Sequence, residues 1–448
     1  TGAGFTVKAE LDDGSLDLTG QVTKTVEGVQ IGIERGQGTY KGANLQLSEP
    51  LSVLIGSNGQ NQIQTARFKA GGGEVIVAGR VGDDLDVHVD LVSLPASLAN
   101  SIAPELGLGG TLNGKIDVSG PVSDPVAQWS ARWNGVQATA LSALGNPKIS
   151  VDSTGQYQAR AVRHETDIAL GQESQLKVSG TASISGALDM AVTGKIAYGL
   201  IQPRLTEAGL RLDGAASIDL NVAGTAKAPA ISGKISTANA SLISLNTGLV
   251  IKELAATANL SSNQVSITSI TGAIGEGRLS GSGTIGLAAP FPADIKIKVV
   301  DGVYSDGRIV TARLNADLNV TGSLAQQPKL AGLIVLQRAD ITIPQTLGTA
   351  LTTLDVKHVN APSAVVRQSA GLNSREREET SGGIGLDLEL RAPGQIYVRG
   401  RGVQAELGGQ IKITGSSSDP ASTGAFELRR GTLTFLTRVL TFTKGRIY

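Results

Sequence analysis

One pattern recurs four times in this chain: an alternating strand, a glycine, a polar turn closed by proline, and a second alternating strand. The copies begin at Ile116, Ile218, Ala316 and Ile411, as IDVSGPVSDP, IDLNVAGTAKAP, ADLNVTGSLAQQP and IKITGSSSDP. Their marker glycines, Gly120, Gly224, Gly322 and Gly415, are separated by 104, 98 and 93 residues. A unit reused at such a period builds an array by stacking, because each copy needs only its neighbours to bury its apolar side. The repeat therefore points to a long surface and away from one compact active site. It predicts one continuous array of four units, residues 1–107, 108–210, 211–310 and 311–448.

Strict period-2 alternation fills the units, as strands with one apolar face require. Phe5, Val7, Ala9 and Leu11 alternate with polar residues, and so do Leu85, Val87, Val89 and Leu91. Ile295, Ile297 and Val299 repeat the pattern, as do Leu386, Leu388 and Leu390. Turn chemistry separates the runs, for example at Asp12–Gly14 and Ser57–Asn61. Helical signals are few. Leu94–Leu106 reads as a short helix, and Leu200–Leu210 as a poorer one because Pro203 falls inside it. Pro362–Gly383 is polar, with the charge run Arg375 to Glu379, and reads as a long mobile loop. The expected class is all-β with few short helices. Alternating strands need a cover for their apolar side, and periodicity leaves two solutions open: stacked sandwiches, or a long sheet curled so that its apolar face lines a trough.

Composition excludes several function classes. With 39 basic and 39 acidic residues the formal net charge is zero, which offers no electrostatic footprint for nucleic acid. Aromatics are 3% of the chain, too few for base-stacking platforms. There is no cysteine, hence no disulfide framework and no thiolate metal site. No apolar run is long enough to span a membrane as a helix. Both ends fall within alternating sequence, so the chain reads as a piece of something longer whose anchor lies outside it.

Candidate chemistry is thin. His88, His164 and His358 lie far apart and show no HxxxH or HExxH spacing, and all three would have to converge, with a carboxylate, to bind a metal. No serine sits in G-x-S-x-G. The glycine patterns at Gly281, Gly283 and Gly286 and at Gly109–Ile116 imitate nucleotide-binding loops, but prolines follow the first and Ile116 stands where a P-loop needs Ser or Thr. Both are read as turns. No enzyme activity and no cofactor are expected.

The last sixty residues resemble the C-terminal domain of the TamB family, within the wider AsmA-like bridge proteins. The resemblance is carried by APGQIYVRGRG (Ala392–Gly402), AELGGQIKITGSSSDP (Ala405–Pro420), GAFELRRGTL (Gly424–Leu433) and FTKGRIY (Phe442–Tyr448). SDGRIVTARLNADLNVTG (Ser305–Gly322) and RADITIP (Arg338–Pro344) are similar too. It implies an elongated β-taco, a curled sheet with an apolar groove, placed in the periplasm of a Gram-negative bacterium and anchored in the inner membrane by a segment outside this chain. The implied partners are phospholipid acyl chains and a TamA-like Omp85 outer-membrane barrel. The implied function is passage of phospholipid between inner and outer membranes. Strands stacked at roughly 4.8 Å, one per ten residues or so, would then reach on the order of 150–200 Å.

On that reading the groove is lined by Leu314, Leu318, Val320, Leu386, Leu388, Leu390, Ile396, Val398, Ile411, Ile413, Phe426 and Leu428, with ordinary packing as the competing role for each. Two other functions compete. One is a chaperone or assembly factor that takes outer-membrane β-segments by strand addition. The other is a structural secreted β-solenoid, which favours shorter coils and a closed interior.

Overall fold

The computed structural model describes residues 2–57, 59–144, 147–344 and 383–447. The expected loop Pro362–Gly383 lies outside them except for its last residue. The described chain is mostly strand, with few short helices. It forms two compact units: residues 1–203 with 215–233, and residues 204–214 with 234–448.

In the first unit the strands are β1 (Gly2–Leu11), β2 (Gly14–Lys24), β3 (Gly28–Tyr40), β4 (Ala43–Leu47) and β5 (Leu51–Gly56). They continue as β6 (Asn61–Ala70), β7 (Gly73–Val81), β8 (Asp84–Pro95), β9 (Gly109–Pro121) and β10 (Val126–Gln137). Then come β11 (Ile149–Gln158), β12 (Ala161–Leu170), β13 (Ser174–Ser183) and β14 (Ala187–Ala197). After the short β15 (Leu210–Asp213), which belongs to the second unit, the first unit closes with β16 (Ala215–Thr225). Each strand pairs antiparallel with the next from β1 to β3 and from β6 to β14, and β14 then pairs with β16. β3 is long enough to pair with both β4 and β5, which in turn both pair with β6.

β17 (Ala228–Ser244) contains the boundary between the units, and its second half pairs with β15. The second unit runs on through β18 (Val250–Ser261), β19 (Gln264–Ile274), β20 (Gly277–Gly286), β21 (Pro292–Ser305), β22 (Val310–Ser323) and β23 (Lys329–Thr342). It ends with β24 (Gly385–Gly400), β25 (Val403–Ser416), β26 (Pro420–Phe435), β27 (Arg438–Thr441) and β28 (Arg446–Ile447). From β18 to β26 the order follows the sequence. β23 and β24 are parallel, against antiparallel pairing around them. A parallel pair needs a long crossover, and the segment between Thr342 and Gly385 supplies that length.

The marker glycines have one backbone conformation. Gly120, Gly224, Gly322 and Gly415 have φ of +89°, +87°, +97° and +90°, a region that only glycine enters cheaply. At Gly415 a Cβ would stand 2.6 Å from the Asp419 carbonyl oxygen. The repeat is thus a repeat of turn geometry.

The nucleotide-loop look-alikes are strands, not the turns read from sequence. Gly281 and Gly283 lie inside β20, and Gly109–Ile116 opens β9. At Gly283 a Cβ would stand 2.6 Å from the Ile295 Cα of the neighbouring strand, so close strand approach demands glycine there. In Leu94–Leu106 the chain makes two 3-10 turns, Ala96–Ser101 and Pro104–Leu106. Gln202–Glu207 is a single α-turn with Pro203 at its second position, where no helical N–H is lost.

Candidate functional site

Register assigns every strand position to a face, because cross-strand partners share one side of a sheet. In β24 the apolar set Leu386, Leu388, Leu390, Ala392, Ile396 and Val398 faces one way. Its partners in β25 are Gly415, Ile413, Ile411, Gly409, Leu407 and Ala405. Those meet Phe426 and Leu428 of β26. On the other side the set meets Leu330, Gly332 and Ile334 of β23, which partner Val320, Leu318 and Ala316 of β22. Leu314, two residues before Ala316 on β22, partners Leu336 of β23, so all twelve positions named from sequence lie on a single face.

Their burial differs. Ile396 is 2% exposed and sits in a cluster with Ala312, Ala339, Ala392 and Leu407, against which Val398, Phe426 and Leu428 pack. Leu314 and Leu318 pack on a second cluster, Ile274, Leu279, Val299 and Ala316. Val320, Leu386, Leu388, Leu390, Ile411 and Ile413 belong to neither cluster and are half-buried.

The buried residues follow a line of bulges. From β21 to β26 every adjacent strand pair shifts register near its middle: at Val299/Gly302, Arg313/Leu314, Val335/Ala339, Ala392/Ile396 and Glu406/Leu407. Register connects these shifts into one crease. Bulges bend a strand and raise its twist, and a row of them curls a sheet. Two bulges share a lock. Asp301, at φ +54°, donates its N–H to Asn315 Oδ1 at 2.8 Å, and in the first unit Ser93, at φ +49°, does the same to Asn113 at 2.8 Å.

No second layer of elements packs on the apolar face among the described residues. Among the described residues no large side chain falls below 2% exposure, and the core consists of alanines and a few Val, Ile and Leu. A core of alanines with half-buried Val, Ile and Leu around it fits a curled sheet better than the interdigitated core of a sandwich.

The opposite face is an exposed ladder of charges. Asp387 bridges Lys329 at 2.8 Å and Lys412 at 3.4 Å, and Arg391 binds Glu389 at 2.7 Å. The hydrogen bond from Lys329 holds the Asp387 carboxyl below its ordinary range, and Arg391 does the same for Glu389. Arg338 and Arg399 share Asp340, at 2.7 and 3.0 Å. Their guanidinium carbons lie 5.3 and 5.0 Å from the Tyr397 ring centroid. Discrete concavities open on this polar side. One of about 730 Å³ is lined by Ser280, Ser282, Lys296, Lys298, Asp317 and Asn319 among others.

The histidines do not converge. His88 is on the polar face, 2.5 Å from Asp117 and 3.5 Å from Asp86, and the Asp117 hydrogen bond raises its pKa. His164 lies on the apolar face. His358 is outside the described residues. No His, Cys, Asp or Glu cluster suited to a metal occurs among the described residues. Sequence reading passed over a polar group on the apolar face of the first unit: Trp129, Ser153, His164 and Thr166. The signal was present, since His164 and Thr166 occupy the positions between Val162 and Ile168 that alternation reserves for apolar side chains.

Residues 266–448 match the family model of the TamB C-terminal domain. No curated protein and no solved structure matches the chain.

Proposed function

We propose that this chain is a non-catalytic segment of a periplasmic bridge that carries phospholipid between the inner and outer membranes. Its uncovered apolar face shields the acyl chains. The observation that carries this reading is the single apolar face across strands β22–β26, with no covering layer among the described residues, and the line of bulges that crosses it. The TamB-domain match over residues 266–448 supports the same placement, and with it a periplasmic setting, an inner-membrane anchor outside this chain and an Omp85-type partner.

Shielding is worth about 0.8 kcal/mol per CH₂ kept from water, spread over many near-equivalent side chains. No single residue needs to dominate, and a lipid can slide because neighbouring positions hold it almost equally. Val320, Leu386, Leu388, Leu390, Ile411 and Ile413 are the most available lining. Ile396 serves as floor.

The test is extraction of the purified chain with organic solvent and mass spectrometry of what it releases, beside a detergent-only control. Several phospholipids per chain support the conduit. No lipid, together with no uptake of added fluorescent phospholipid, overturns it and moves the reading to assembly of outer-membrane β-segments.

A further inference from the structure

In the first unit the apolar face changes character over β10–β14. One cross-strand row reads Trp129, Gly155, His164, Gly180, Met190. It holds one of the chain's two tryptophans and its only methionine, with a glycine between each pair of large side chains. A Cβ on Gly155 would collide with the Trp129 indole, so that ring lies over the glycine. The adjacent row is Ala131, Ser153, Thr166, Val178. Across these two rows runs a chain of hydrogen bonds. Trp129 Nε1 donates to Ser153 Oγ at 3.3 Å, Ser153 and Thr166 hydroxyls are 3.0 Å apart, and Thr166 Oγ1 is 3.1 Å from His164 Nδ1.

An indole only donates. In a cooperative chain, Ser153 passes its proton to Thr166 and Thr166 to His164 Nδ1, and Nε2 is then the N–H of the ring. No described residue accepts from Nε2. Apolar rows flank the group on both sides: Trp133, Val151, Ile168 and Leu176 on one, Tyr157, Val162 and Ala182 on the other. A wholly apolar ligand lying here would bury Nε2 unsatisfied, which is costly. An ester or phosphate oxygen would satisfy it.

We infer that Trp129, Ser153, Thr166 and His164 form a polar station on the apolar face that takes the glycerol-ester and phosphate region of a phospholipid through His164 Nε2–H. The inference rests on the proposed acyl-chain trough and adds a fixed point to it. A sliding lipid pauses where its polar part finds a donor.

Two pyrene probes with the same hydrocarbon length separate the two ideas, a pyrene-acyl phosphatidylglycerol and a pyrene-labelled alkane. The intact chain should bind both, and the phospholipid more tightly. H164L/T166V should weaken phospholipid binding about tenfold, the order expected for losing hydrogen bonds, and leave the alkane unchanged. H164Q, which keeps an N–H donor, should retain most of the preference. The His164 imidazole nitrogen resonance should shift with phospholipid and stay still with alkane. Unchanged phospholipid binding by H164L/T166V, or a silent resonance, overturns the station and leaves the trough standing. Binding of neither probe by the intact chain overturns both.

Discussion

A charge placed at Leu388 tests whether the apolar face is where the lipid lies. Leu388 is half-buried between Gly332 of β23 and Ile413 of β25, and Leu318 follows in the same row. Leu388→Glu sets a carboxylate on that row. With the face empty, the carboxylate keeps most of its water, and folding loses about 1 kcal/mol of apolar burial. An acyl chain passing over it must strip that water, which costs several kcal/mol for an ion, while each CH₂ laid down returns only about 0.8 kcal/mol. If bending toward solvent relieves half of the cost, about 2–3 kcal/mol remains, and passage slows about 30- to 140-fold. The assay is transfer of fluorescent phospholipid between donor and acceptor vesicles, with bound lipid per chain measured alongside. Asp387→Asn and Glu389→Gln, on the facing-away side of the same strand, should leave transfer unchanged. Equal slowing by all three, or none by Leu388→Glu in a folded chain, refutes the assignment of the conducting face.

Asn315→Ala frees the Asp301 N–H at a bulge and should lower stability by about 0.5–1.5 kcal/mol; Asn113→Ala should match it at Ser93, and an unshifted urea midpoint in both would deny that these bonds hold the bend. Gly415→Ala forces a side chain into φ +90° against the Asp419 carbonyl and should cost about 1–3 kcal/mol. Gly199→Ala, where a Cβ meets nothing within 4 Å, should leave the thermal midpoint in place. His88 has a raised folded pKa, so its contribution is complete below the unfolded value of about 6.5 and fades as pH climbs through the folded one. Asp117→Asn should flatten that part of the melting profile, and a slope that survives it would assign the pH dependence elsewhere. Asp340, Asp387, Glu389 and Glu406 are held low by Arg338, Lys329, Arg391 and Arg430. Their contribution is complete above about pH 4.5 and disappears as pH falls through their folded values. Because the pairs are exposed, 1 M salt should shrink this acid slope, and an acid slope unmoved by salt would point to buried groups instead.

Alternation made most of the strands and both faces legible, because a period of two leaves a strand such as Leu386–Leu390 only one amphipathic reading. The twelve positions named from sequence fell on one side for the same reason. Their different burial was not legible. Ile396 and Leu388 look alike in sequence, and only the bulge at Ala392/Ile396 sinks one into the floor and leaves the other on an arm. That bulge depends on which β25 residues oppose it, a long-range fact that local pattern does not contain. The glycine look-alikes misled for a related reason. Gly281 and Gly283 have no turn to make, and they are glycines because β21 presses close against them.

The shortage of bulk on the apolar face follows from the same geometry. A sheet that bends at a crease brings its own arms toward each other, and large aromatics along the crease would fill the space between them. The crease is instead floored by Ala312, Ala316, Ala339 and Ala392, with Val, Ile and Leu rising on the arms. Small floor residues let the strands bend tightly, and the medium-sized arm residues stay half-exposed. A chain built this way forgoes the tight core that stabilises ordinary domains and relies on backbone pairing between long strands. Polar chemistry on that face becomes costly once an apolar ligand covers it. That cost is why the hydrogen-bonded run from Trp129 to His164 calls for a ligand with a polar part.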